Sequence, residues 1–192
     1  MKKIKFGFPS GILRDQTIEL FAAADYEVNF KEESHQLKID DPEIDCFLAR
    51  AQEIAHYVEE GVLDLGITEK AFLLDQGIKV LELTSLHYGH KLWRNGRVVL
   101  AVPEDSTIQS VKDLKDKKIL ARVPEITRNY LKKCGVKAKV EFVDRPGELK
   151  VPIFGDALVE FTITGETLRA NHLRVLDVLM ETSPDLIANK IS

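Results

Sequence analysis

Short apolar runs bounded by glycine, proline and charge alternate along this chain with longer stretches of helical periodicity. IKFGF (residues 4–8) has the length and composition of a strand, and after the turn Pro9-Ser10-Gly11 the segment LRDQTIELFAAA sets Leu13, Ile18, Leu20 and Phe21 at mostly helical spacing. DCFLA (45–49) predicts a second strand. It leads into AQEIAHYVEEG, where Ile54, Tyr57 and Val58 share a face and Gly61 supplies a stop. DLGIT (64–68) reads as a short buried strand and KAFLLDQG as the helix after it. Strand and helix in alternation favour an α/β fold with a largely parallel sheet.

Beyond His87 the plan repeats. RVVLAVP (97–103) predicts a strand, EDSTIQSVKDLKDKK a polar loop with a short helix, and KILARV (118–123) another strand before the helix EITRNYLKKCG. AKVEFV (138–143) and DALVEFTI (156–163) complete four strands. The tail LRVLDVLMETSPDLIANK predicts a helix followed by a strand, with LIAN returning to the first sheet. The expected organisation is one lobe from residues 1–91 plus 172–192 and a second from residues 92–171, with a central cleft between them where small ligands commonly bind.

Composition narrows the function. The 192 residues are 44% hydrophobic and 30% charged, with a formal net charge of −4, as in an ordinary globular protein. A net acidic chain argues against nucleic-acid or membrane-surface partners, so an anionic ligand would need a local cationic or amide-lined pocket. Cys46 and Cys134 lack metal-ligand spacing and read as buried free thiols in a reducing compartment. No signal-peptide pattern follows the basic start MKKIKFGFPSG and nothing approaches a transmembrane span, so the expected location is cytoplasmic.

The candidate chemistry lies in VEFTITGETLRAN (159–171), where an apolar run is broken by threonines and a glycine. A strand, a small-residue turn and a helix start present backbone N–H groups suited to a phosphate. Gly165 tolerates positive φ, and the hydroxyls of Thr164 and Thr167 add donors. Glu160, four residues before Thr164, is an acceptor for ribose hydroxyls. A Thr-Gly turn that merely caps a helix is the plainer alternative. LHYGHKLWRNGR (86–97) reads either as a solvated linker or as a cationic crossover offering Lys91, Arg94 or Arg97 to an anion. The His87 and His90 pair is weak as a metal site.

An acidic residue, three positions, then Thr-Gly-x-Thr-Leu, with Glu148-Leu-Lys-Val-Pro before it and Arg169-Ala170-Asn171 after it, resembles the phosphoribosyl-pyrophosphate loop of the ATP phosphoribosyltransferase family. DDPEIDCFLARAQEIAHYVEEGVLDLGIT (40–68), VVLAVPEDS (98–106), ITRNYLKKCGVKAKVEF (126–142) and LIANK (186–190) are similar to that family in the same order, so the resemblance covers essentially the whole chain. It implies a two-lobed fold of the type II periplasmic-binding-protein kind. It also implies an enzyme of histidine biosynthesis that joins N1 of ATP to the anomeric carbon of phosphoribosyl pyrophosphate, releasing pyrophosphate with Mg²⁺ as cofactor. On that resemblance Thr164, Gly165, Glu166, Thr167 and Leu168 hold the sugar 5-phosphate, Thr162 is a further substrate-binding residue, and Glu160 holds the ribose hydroxyls. Arg50 reaches the reacting groups from the first lobe, Glu148 lies beside the nucleotide, and Gly11 and Lys91 complete the substrate contacts. The implied partners are a second copy of the chain, in a homodimer or higher homo-oligomer, and a separate regulatory subunit. The motifs are most similar to the long form of the family. The chain ends at Ser192, before that form's small regulatory domain, and the expectation is that histidine does not inhibit it by itself.

Some family positions are altered. The first turn carries Ser10, Gly11 and Ile12 where the family commonly has Lys-Gly-(Arg/Ser). Gly66-Ile67-Thr68 continues as Glu69-Lys70-Ala71, replacing a small residue and removing a carboxylate. Ile163 stands where Glu or Ser is usual, and Glu125 where Asn is usual. These changes leave a second reading open, a catalytically impaired or non-catalytic relative that keeps the phosphoribosyl loop and has lost the ATP side. An extracytoplasmic solute-binding protein of the same fold is the third.

Overall fold

The computed structural model describes residues 3–31, 36–86 and 96–191. Two compact units divide the chain: Met1–His90 with Ser183–Ser192, and Lys91–Thr182.

The first unit is built on a five-stranded sheet. Strand β1 (Ile4–Pro9) feeds helix α1 (Ile12–Ala23), and a small antiparallel ribbon of β2 (Val28–Lys31) and β3 (Gln36–Ile39) follows. Then come β4 (Ile44–Ala49), α2 (Ala51–Glu59), β5 (Leu65–Glu69), α3 (Lys70–Gln76) and β6 (Leu81–Ser85). β1 pairs parallel with β4 and with β5. The last strand of the chain, β12 (Pro184–Ala188), enters antiparallel between β5 and β6, giving the order β4-β1-β5-β12-β6.

Two apolar layers cover this sheet. Ile54, Ala55 and Val58 of α2 pack with Leu63, Leu73 and Ile187 on one face; Phe6, Phe8, Leu37 and Ile67 form the other with Phe21. Asn189, just past β12, is buried and donates from Nδ2 to the Val58 and Glu59 carbonyls at 2.6 and 3.2 Å, tying the strand to the end of α2. LIAN therefore returns to the first sheet, as its sequence predicts.

The second unit holds β7 (Gly96–Pro103), β8 (Lys118–Ala121), α4 (Pro124–Lys133), β9 (Lys139–Phe142), β10 (Ala157–Thr162), α5 (Glu166–Ala170) and β11 (Leu173–Thr182) in the sheet order β11-β7-β10-β8-β9. β8 pairs parallel with β9 and β10, whereas β7 runs antiparallel to β10 and β11. Val99, Ala101, Leu120, Val143, Val151, Leu158, Leu168 and Leu173 form its core.

The tail corrects one expectation. LRVLDVL, read as helix, is the start of the ten-residue strand β11, and the helix after the Thr-Gly turn stops at Ala170. His172 takes a φ of 55° and reverses the chain, and Leu173 onward pairs along the whole of β7 with two register shifts. Leu173, Val175, Leu176, Val178 and Met180 satisfy both the helical and the strand period, so the open edge of β7 decides between them. Residues 173–182 consequently belong to the second unit, and the first regains the chain at Ser183 rather than at residue 172.

Candidate functional site: the Thr-Gly loop and the buried carboxylate before it

Leu158, Glu160 and Thr162 alternate along β10 and lie on the face that carries the second unit's core. After Thr162 the chain turns through Ile163, Thr164 and Gly165 into α5. Gly165 sits at φ 78°, ψ 6°, the left-handed region foreseen for this position. The turn is fastened from within. The Gly165 N–H donates to Thr162 Oγ1 at 2.9 Å, the Glu166 N–H to Thr164 Oγ1 at 3.3 Å, and Arg169 Nη1 to the Thr164 carbonyl at 3.0 Å. At the far end Asn171 Nδ2 donates to the Thr167 carbonyl at 2.8 Å.

Thr162 is buried and shapes the loop, while Thr164, Glu166 and Thr167 are exposed. The Leu168 side chain is core, only 1% exposed, so its backbone amide is what it can present to a ligand. Glu166, Thr167 and Leu168 form the first turn of α5, where amides precede any intrahelical acceptor.

Glu160 is 1% exposed. Its Oε1 accepts the Phe161 N–H at 3.0 Å and lies 3.8 Å from Arg145 Nη2; Oε2 has no hydrogen-bond partner. Burial pushes this carboxyl above its ordinary range. The Phe161 N–H and the Arg145 guanidinium pull it back, Glu148 raises it, and Arg122 lowers it further. Arg122, buried at the end of β8, pairs with Asp144, and Lys150 Nζ donates to the Asp144 carbonyl at 2.8 Å. The segment 144–150, with Glu148 half-buried on it, thus lies against the carboxylate. Sequence reasoning overlooked Arg122, Asp144 and Arg145. An arginine inside the apolar run KILARV and the turn signal Arg145-Pro146-Gly147 were the available signs.

The remaining candidates lie in the first unit or outside the described residues. Gly11, at φ 74°, precedes α1, and Arg50 precedes α2, its N–H donating to Glu53 Oε2 at 2.9 Å. Both follow the carboxyl ends of parallel strands β1 and β4, the edge where open α/β sheets bind ligands. Glu69 is the last residue of β5, at the same edge. Ala71, where the family pattern has a carboxylate, is 0% exposed in the first turn of α3 and packs as core. Ile163 is half-buried, and its carbonyl accepts Arg97 Nη2 at 3.5 Å. Lys91, like His87, His90 and Arg94, lies outside the described residues. Cys46 and Cys134 are free but only half-buried, and burial, followed by Asp45, pushes the Cys46 thiol up to about 11.

Charge is divided between the units. Residues 91–182 contain 17 Lys and Arg against 13 Asp and Glu, whereas the rest of the chain contains 10 against 18. The Thr-Gly loop therefore sits in the cationic unit of an acidic chain.

Two sheets of this plan, with the last strand closing the first sheet, define an α/β protein of the periplasmic-binding-protein kind. The periplasmic aliphatic sulphonate binding protein SsuA from Escherichia coli superposes with a TM-score of 0.61 at 17% identity, over 99% of this chain and 62% of that one, a likeness of fold. The ATP phosphoribosyl transferase (HisG:HisZ) complex from Thermotoga maritima superposes with a TM-score of 0.77 at 25% identity, over 98% and 89%. The family model for HisG, ATP phosphoribosyltransferase, matches residues 50–192. The chain belongs to the ATP phosphoribosyltransferase family. It is 47% identical over 189 residues to the ATP phosphoribosyltransferase of Pelodictyon phaeoclathratiforme and 43% identical over 189 residues to that of Solibacter usitatus. It spans 64% and 65% of the lengths of those two relatives.

Proposed function

We propose that this chain catalyses the reaction for which its family is named, joining N1 of ATP to the anomeric carbon of phosphoribosyl pyrophosphate with release of pyrophosphate. The observation that carries the reading is the spacing of a buried carboxylate, Glu160, from a Thr-Gly turn held in the left-handed conformation at Gly165. The turn offers amides and the exposed hydroxyls of Thr164 and Thr167 to the sugar 5-phosphate. Glu160 accepts from the ribose hydroxyls.

In the reaction the N1 lone pair forms the new C–N bond as the anomeric C–O bond breaks, and pyrophosphate departs with that electron pair. Positive charge grows on the ribose in the transition state, beside the Glu160 carboxylate. No covalent nucleophile is required, so orientation of the two substrates and charge stabilisation carry the rate. Glu148 beside the loop, and Arg50 and Gly11 on the first unit, are assigned to the nucleotide and to the reacting groups. Lys91 is assigned to substrate contact.

Among the described residues no group of three or more His, Cys, Asp or Glu stands together as a metal cage. A Mg²⁺ held mainly by pyrophosphate oxygens would neutralise the charge of the leaving group. A homo-oligomer and a separate regulatory subunit, such as the partner in the Thermotoga maritima complex, are the assemblies proposed, in the cytoplasm.

Incubating the purified chain with ATP, phosphoribosyl pyrophosphate and Mg²⁺ tests the reading, and pyrophosphate release that needs both substrates is expected. The buried Ala71, which leaves the first unit without the family's carboxylate there, favours a second reading as a catalytically impaired relative. Measurable phosphoribosyl pyrophosphate binding with no turnover would support that reading and defeat the first.

A further inference from the structure

Glu160 poses a problem that its assignment to the ribose hydroxyls does not solve. A carboxylate 1% exposed, with one oxygen lacking a partner, favours its protonated form, and a protonated carboxyl is a poorer acceptor for hydroxyl donors. The charged groups facing it are few. Arg145 and Glu148 come from the segment that lies against it, and Arg122 comes from the end of β8. Its ladder partner on β7 is Val99, and α5 contributes the core side chain of Leu168 to that face, so neither adds charge there. Arg122 pairs with Asp144, while the Arg145 guanidinium lies within ion-pair reach of Glu160, Nη2 to Oε1 at 3.8 Å.

The approach of this segment depends on Gly147, whose missing Cβ would stand 2.9 Å from Leu158 Cδ1 and 3.2 Å from Glu160 Oε2. Arg145 therefore addresses Oε1, while the backbone at Gly147 lies beside Oε2. Oε2, on the Gly147 side, is the oxygen without a hydrogen-bond partner.

We propose that Arg145 is a positioning residue for Glu160, pairing with Oε1 so that the buried carboxylate stays ionised and Oε2 accepts a ribose hydroxyl of the phosphoribosyl substrate. The proposal rests on the assignment of Glu160 to that sugar, and Arg145 itself need not touch the substrate.

The test uses the whole chain as parent, Arg145→Ala, Arg145→Lys and Glu160→Gln, with two readouts. The first follows the Glu160 side-chain carboxyl by ¹³C NMR during a pH titration without ligand, its signal identified by its loss in Glu160→Gln. The midpoint should rise in Arg145→Ala and return toward the parent in Arg145→Lys. The second measures ribose 5-phosphate affinity by calorimetry over the same pH range. The parent should lose affinity as pH falls, Arg145→Ala should lose it starting at higher pH, and Arg145→Lys should restore most of the difference. Glu160→Gln should keep only the dependence due to the phosphate's own titration, whether or not Arg145→Ala is added. An unchanged Glu160 midpoint in Arg145→Ala, or a pH profile that only moves in parallel, would overturn the role given to Arg145. A shifted midpoint with no ribose 5-phosphate binding by the parent would instead overturn the sugar assignment, and with it the acceptor role of Oε2.

Discussion

A glutamate in a β-strand interior, its carboxylate almost wholly shielded from water, costs the fold whenever it is ionised. Because burial raises the Glu160 pKa above its ordinary 4.5, the native state is best matched to this side chain at acid pH and loses that match as pH rises through the raised value. Glu160→Gln keeps the shape and removes the charge. The substituted protein should melt at higher temperature than the parent at pH 8, with the gain shrinking as pH falls toward 4.5. An equal gain at every pH would point to packing rather than ionisation. Gly165 carries the opposite trade, since its φ of 78° suits no β-branched residue. Gly165→Val should cost ~1–2 kcal/mol in urea denaturation, the penalty of forcing an L-residue into this region. It should also abolish detectable phosphoribosyl pyrophosphate binding in calorimetry. Unchanged affinity in a folded Gly165→Val protein would remove the phosphate from this loop. The left-handed turn was legible at this scale because glycine among threonines after a strand has few other uses. Sequence does not say whether the leucine of Thr-Gly-x-Thr-Leu faces a ligand or the core; here the Leu168 side chain is core, and its amide is what it can offer.

Elements were legible wherever only one period fitted. IKFGF, DCFLA and DLGIT became β1, β4 and β5, and AQEIAHYVEE became α2, because their lengths and boundaries left no second choice. LRVLDVLMET was not, since its apolar positions serve either period and the unpaired edge of β7 settled the matter. The lobe boundary moved with it, from residue 172 to Ser183. LIANK was read correctly as a return to the first sheet, though the work of its asparagine was hidden. Asn189 links β12 to the end of α2 through the Val58 and Glu59 carbonyls, and its Oδ1 accepts the Ile191 N–H at 2.8 Å. Asn189→Ala would take the Nδ2 donor away from both carbonyls, leaving Val58 O only the Gly61 N–H at 3.2 Å. A loss of about 1–3 kcal/mol is expected from the shift of the urea midpoint. Glu160 and the Thr-Gly loop should be unaffected by it, because they lie in the other unit.

At the scale of the molecule, an acidic chain keeps its positive charge in the unit that holds the Thr-Gly loop. The 17 basic against 13 acidic residues of the second unit give an anionic substrate a favourable field there, which the overall charge of −4 conceals. The net charge argued against a generic nucleic-acid role and asked for a local cationic site, but the contribution of Arg122 and Arg145 emerged only from folding, which brings β8 and the 144–150 segment together. The first unit carries Glu69 and the buried Ala71, two positions at which this chain departs from the family pattern, so the proposed ATP contacts are the part of the assignment most in need of a test. The most direct measurement is of the bond itself. ATP labelled with ¹⁵N at N1 and phosphoribosyl pyrophosphate labelled with ¹³C at the anomeric carbon are incubated with the chain and Mg²⁺, and the product is examined by NMR. A one-bond coupling between the two labels, appearing in step with pyrophosphate, is the predicted result. Pyrophosphate released without that coupling, or unreacted substrates alongside a protein that binds phosphoribosyl pyrophosphate, would contradict the reaction assigned to it.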